Sequence, residues 1–169
     1  CNLPWQEYKV KTLIHASQHG YILTDADGFW HGEPIINNNK ITLLAHAYVI
    51  KENDEETELV KKIFKKECWK EYNHYVTGFV SIPSKYMTKK LADDCMEITK
   101  KILKDDLIFI SDIQKRENVR RIAEEIGVCL AIQHNYPPDQ IEVLPQEEAL
   151  DDTHILQSLY YGCANKILE

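Results

Sequence analysis

Residues 76–110, VTGFVSIPSKYMTKKLADDCMEITKKILKDDLIFI, change hydrophobic period twice, and the reading of those changes decides the fold. Residues 76–82, with Val76, Thr77, Phe79, Val80 and Ile82, are rich in β-branched and aromatic side chains and fit a strand. After Pro83, the residues Leu91, Cys95, Ile98 and Ile102 recur at helical spacing and line one face of a helix. Residues 107–110 are a short apolar run, which predicts a buried strand. Two strands joined through a helix read as a β-α-β unit, because parallel neighbours need a crossover of about a dozen residues.

Both flanks extend this alternation. Toward the C-terminus, Val119, Ile122, Ala123 and Ile126 predict a helix stopped by Gly127 as its C-terminal cap. Residues 128–132 and 141–144 predict strands separated by a Pro137-Pro138 loop, and a last helix runs from about Glu147 to near Gly162. Toward the N-terminus, Leu59, Val60, Ile63, Phe64, Cys68 and Tyr72 predict a helix opened by acidic residues from Asp54. Before it come an apolar run at 41–50, a loop at Asn37-Asn38-Asn39 and an extended piece at 21–24. Tyr8, Val10, Thr12 and Ile14 alternate as in a half-buried strand that Gly20 ends, with a short helix from Trp5 as the alternative. The expectation is one three-layer α/β domain over residues 1–169, with a mixed or mainly parallel sheet and a β-rich N-terminal third.

Composition narrows the function classes. A chain of 169 residues with 44% hydrophobic and 28% charged residues suits a single soluble domain with a packed core. The formal charge of -7 argues against binding to a nucleic-acid backbone, which needs clustered cations to release counterions. No apolar stretch approaches the roughly 20 residues that span a bilayer, and no basic-then-apolar leader opens the chain. Cys1 in place of methionine is compatible with a trimmed chain, a processed precursor, a lipid-modified cysteine or an N-terminal nucleophile. The five cysteines include no Cys-x-x-Cys pair, and Cys95 and Cys129 sit in apolar patterns as small core residues. A reducing, cytoplasmic setting is expected.

Three segments present polar groups where a strand ends, the place where ligands bind in open α/β sheets. Asp25-Ala26-Asp27-Gly28 follows the extended piece at 21–24; its carboxylates suit a magnesium ion, and the same residues suit a hairpin turn. Ser111 and Asp112 follow residues 107–110 and lead into a helix carrying Lys115, which offers a hydroxyl and a cation to a phosphate, or simply a capped helix. Asp151 and Asp152 lie in an acidic cluster that either completes a metal site or complements a helix macrodipole. His15 and His19 have the i, i+4 spacing that converges on a metal from a helix, which a strand at 8–14 does not provide. His31, His46, His74, His134 and His154 are scattered. Neither a phosphate loop nor a dinucleotide fingerprint occurs.

In chain order, residues 21–28 with Asp25-Ala26-Asp27-Gly28, residues 108–111 ending in Ser111, and the stretch from Ala149 through Asp151 and Asp152 to Ala164 resemble the haloacid dehalogenase-type phosphohydrolases. The resemblance implies a magnesium-dependent phosphohydrolase acting on a small phosphomonoester. It makes Asp25 the nucleophile, Asp27 the acid/base, Ser111 a phosphate ligand, and Asp151 or Asp152 a metal ligand beside Asp25 and Asp27. Residues 50–105 become a cap-like insertion. Lys115, the lysine between the second and last segments, lies closer to the second than the pattern places it. Two other classes stand beside this one: a non-catalytic interaction or regulatory α/β domain with a protein or other macromolecular partner, and a thiol enzyme.

Overall fold

The computed structural model describes residues 4–24, 37–45, 75–105, 107, 108 and 110–144. The helix expected from Asp54, the last helix from Glu147, and Asp25, Asp27, Asp151 and Asp152 lie outside the described residues. Among them the elements run α1 (Trp5–Gln18), β1 (Leu23–Thr24), β2 (Ile41–Ala45), β3 (Tyr75–Ser81), α2 (Lys89–Lys104), α3 (Ile113–Arg121), α4 (Ala123–Asn135), a 3-10 turn (Pro138–Gln140) and β4 (Ile141–Leu144). The four strands form one mixed sheet in the order β1-β3-β2-β4, antiparallel except where β2 and β4 run parallel. An α/β architecture with a mixed sheet is thus present. Among the described residues no helix is long and apolar enough to cross a membrane.

Three local expectations are corrected. Residues 8–14 are not a strand but belong to α1, the alternative that the sequence also allowed. Its buried positions, Gln6, Val10, Leu13 and Ser17, follow the helical period, while Tyr8 and Thr12 of the alternating set face water. Packing against the other helices selects one of two periods the segment can satisfy. The helix ends in a Schellman motif: Gly20 takes φ +75, its N-H donates to the Ser17 carbonyl, and the Tyr21 N-H donates to the Ala16 carbonyl at 2.8 Å.

Leu107, Ile108 and Ile110 lie in a turn, not in a buried strand. The Leu107 N-H donates to Asp105 Oδ1 at 2.8 Å, Leu107 has φ 52, and the Ile110 N-H returns to the Leu107 carbonyl. Leu107 and Ile110 are buried while Ile108 is 73% exposed, so a four-residue apolar run satisfies a turn with two anchors.

The third correction is α4, which runs through Gly127 instead of stopping there and absorbs residues 128–132, expected as a strand. Ile126, Val128, Cys129, Leu130, Ala131 and Ile132 are all buried, so the helix is apolar nearly all round and carries no helical stripe to betray it. Gly127 serves close packing. A Cβ there would lie 2.2 Å from Thr99 Oγ1 and 3.0 Å from the Thr99 backbone nitrogen on α2. The two helices approach as closely as a missing side chain permits.

The other elements are assembled by ordinary local chemistry. Thr88 caps α2, its hydroxyl accepting from the Leu91 N-H at 3.2 Å, and Lys101 and Lys104 complement the helix C-terminus. Leu91, Cys95, Ile98 and Ile102 are buried along one face as their spacing predicts. Beside α1, α2 and α4, the core takes Ile41, Leu43, Val80 and Ile82 from the sheet. Thr42, Leu44 and Phe79 are buried as well, so neither face of the central strands is wet. Between Leu43 and Leu44 the pairing of β2 with β3 skips, from Leu43↔Val80 to Leu44↔Val76. Glu125 of α4 compensates the bulge: its Oε2 accepts from the Thr77 N-H at 2.9 Å and from the Thr77 hydroxyl at 3.3 Å.

Two stability experiments test this packing. Gly127→Ala forces Cβ into Thr99 backbone and is expected to cost about 1–3 kcal/mol, seen as a lower urea midpoint at unchanged m-value; a variant as stable as the parent would refute the close approach. Glu124 on α4 has a side chain only 5% exposed, with Lys9 Nζ 3.5 Å away and Oε2 buried without a hydrogen bond. Burial pushes its carboxyl above the usual glutamate range, and Lys9 offsets this only in part. Between the ordinary value and the raised one, the folded chain holds a proton that the unfolded chain has released. Stability therefore falls as pH rises through that window. Glu124→Gln should flatten this slope in a series of melting temperatures from pH 4 to 8.

Candidate functional site

Antiparallel pairing sets the geometry of a cleft among the described residues. Because Leu23 pairs with Val80 and Thr42 with Ser81, the start of β1, the start of β2 and the end of β3 meet at one edge of the sheet. There Gly20, Tyr21, Ile22, Asn38 and residues 81–85 line a cleft of about 300 Å³. That volume is at the small end of ligand pockets and suits one small molecule.

The rim is held by cross-loop hydrogen bonds. Asn37 organises its turn by accepting the Asn39 N-H on Oδ1 at 2.9 Å, with the Lys40 N-H returning to its carbonyl. The Tyr86 hydroxyl donates to the Asn39 carbonyl at 2.7 Å, and the Tyr136 hydroxyl donates to the Tyr86 carbonyl. The rings of Tyr86 and Tyr136 meet edge to face at 5.3 Å. On this frame Lys85 Nζ donates to Asn39 Oδ1 at 3.0 Å and lies 5.0 Å from the Tyr86 ring centroid. Both of these partners are neutral, and among the described residues no carboxylate pairs with the Lys85 ammonium. Ser84 is exposed beside it, Ser81 is buried in the wall, and Tyr21 presents an exposed ring on the opposite side. The arrangement offers a cation, hydroxyls and an amide to an anionic group, and an aromatic ring to an apolar one.

Two of the residues singled out from sequence, Ser111 and Lys115, fall among the described residues. Asp25, Asp27, Asp151 and Asp152 lie outside the described residues. Ser111 stands exposed after a turn rather than at a strand end. Asp112 caps α3, its Oδ1 accepting from the Gln114 N-H at 2.8 Å and the Lys115 N-H at 3.4 Å. Neither Ser111 nor Lys115 lines the cleft. Among the described residues no three His, Cys, Asp or Glu side chains are grouped to hold a metal ion. The missed residues are Asn38, Ser84 and Lys85; their signal was Pro83-Ser84-Lys85 directly after the 76–82 strand, a polar strand end like those that were considered.

Cys95 and Cys129 are buried and outside any disulfide, as their apolar settings predict. Burial pushes the Cys95 thiol up to about 12, and Cys129 Sγ donates to the Tyr75 carbonyl at 3.1 Å. Cys95 therefore keeps its proton at neutral pH. The chain matches no known protein family, no curated protein and no solved structure. In the native protein at pH 7.5, iodoacetamide should leave both cysteines unmodified, and urea should expose them; labelling of either before unfolding, read by mass spectrometry, would contradict their burial.

Proposed function

We propose that this chain is a non-catalytic, regulatory α/β domain that binds a small anionic molecule, a phosphomonoester in the first instance, in the cleft at the end of β3. Lys85 supports this reading most directly: it is a lining cation in a chain of net charge -7, held in place by neutral partners. A phosphate there accepts from the ammonium and from the Ser84 hydroxyl, while the rest of the ligand lies against Tyr21 and Ile22. A three-layer arrangement with a β-rich N-terminal third beyond α1, and a reducing cytoplasmic setting, belong to the same proposal. Burial on both faces of β2 and β3 supports the layers, and two cysteines outside any disulfide support the setting.

The magnesium-dependent phosphohydrolase is the second reading, favoured by one observation: β1 runs from the cleft wall at Ile22 through Leu23 and Thr24 directly into Asp25.

Calorimetric titration of inorganic phosphate and a panel of phosphomonoesters, with and without magnesium, separates the readings. Binding without turnover, independent of magnesium and weakened about tenfold or more by Lys85→Ala, is expected from the loss of a charge-assisted hydrogen bond. Equal affinity in that variant would refute the cleft. Magnesium-dependent phosphate release that disappears in Asp25→Asn would establish the hydrolase instead.

A further inference from the structure

The helical period of α1 brings together two side chains that a strand would have separated. His15 is exposed in its last turn, and His19 is the exposed C-cap four residues on. Residues at this spacing are neighbours on one helix face. Their ring centroids are 4.3 Å apart, with the planes tilted by 42°. His19 Nδ1 lies 2.9 Å from the His15 carbonyl oxygen. A carbonyl only accepts, so Nδ1 carries the proton, and neutral His19 keeps its lone pair on Nε2. This is how metal-bound histidines are oriented, the second ring nitrogen donating to a backbone carbonyl. Among the described residues no carboxylate, amide or hydroxyl side chain is hydrogen-bonded to His15, and both residues are exposed to water.

We infer that His15 and His19 form a bidentate surface site for a borderline divalent transition-metal ion, with imidazole nitrogen as the protein ligand and water in the other positions. Two Zn-N bonds of about 2.0–2.1 Å place the donor nitrogens roughly 3 Å apart, which small rotations of two rings at 4.3 Å provide. No third His, Cys, Asp or Glu among the described residues joins the pair. The ion is therefore exchangeable rather than structural. Imidazole donors select copper, nickel and zinc and reject magnesium, whose ligands are hard oxygens. The site stands apart from the anion proposed in the cleft and needs none of its residues, although His19 stacks against Tyr21 at 6.3 Å.

The test uses tag-free protein titrated with Cu²⁺, Ni²⁺, Zn²⁺ and Mg²⁺ by calorimetry at pH 7.5, together with paramagnetic broadening by Cu²⁺ in amide NMR spectra. Expected are uptake in the order copper over nickel with no response to magnesium, and broadening centred on residues 15–21. His15→Gln and His19→Gln, both at exposed positions that leave the fold intact by circular dichroism, should each weaken Ni²⁺ binding by about tenfold or more, as removal of half a chelate requires. Broadening that persists in either variant, or that centres elsewhere in the parent, would overturn the site. So would nickel affinity that depends on one histidine alone, the mark of a single adventitious imidazole.

Discussion

The contact between Gly127 on α4 and Thr99 on α2 is the constraint from which most of the described structure follows. Two helices that touch through the absent side chain of a glycine bury Cys95, Ile98, Ile102, Ile126 and Leu130 between and around them. Such proximity is gained by giving up a Cβ, at the cost of a mid-helix glycine's extra unfolded-state freedom, about 0.5–1 kcal/mol relative to alanine. Dispersion between closely packed helices offsets that cost, because many small contacts add where no void separates the surfaces. Once α4 is seated, Glu125 faces the bulge of β3 and satisfies the Thr77 amide, which ties the helix layer to the irregular part of the sheet.

The sheet in turn decides where the cleft lies. In a wholly parallel sheet every strand would end on one edge. Here β1, β2 and β4 run opposite to β3, so the end of the sheet that carries the cleft collects three strand beginnings and one strand end. The Schellman turn at Gly20 delivers Tyr21 to the same edge straight from the end of α1. One helix terminus therefore supplies an aromatic wall to the cleft and an imidazole pair on its outer face.

Legibility in the sequence followed the strength of the period. The α2 pattern of Leu91, Cys95, Ile98 and Ile102 could be read because its opposite face is charged, and the Asn37 turn because its side chain does locally what its neighbours require. The strand at residues 141–144 was legible as a short apolar run between punctuating residues, and it pairs in parallel with β2. Segments 8–14, 107–110 and 128–132 were misread for one reason. Each is short or uniformly apolar enough to satisfy more than one period, and only its neighbours choose. The cost fell on function as well. Ser111 was valued as a strand-end hydroxyl that the turn at Leu107 removes, and the His15 and His19 pair was set aside by a strand that is a helix.

What the sequence determined by itself is what local chemistry can enforce: α/β character, the caps at Thr88 and Asp112, the turn at Asn37, and the burial of Cys95 and Cys129. Tertiary structure alone decided the role of Gly127, the bulge held by Glu125, and the meeting of Tyr21, Asn38 and Lys85 at one edge. Those outcomes join residues tens of positions apart. No period or propensity within a segment can encode them, because their energy exists only once two distant surfaces exclude water from each other.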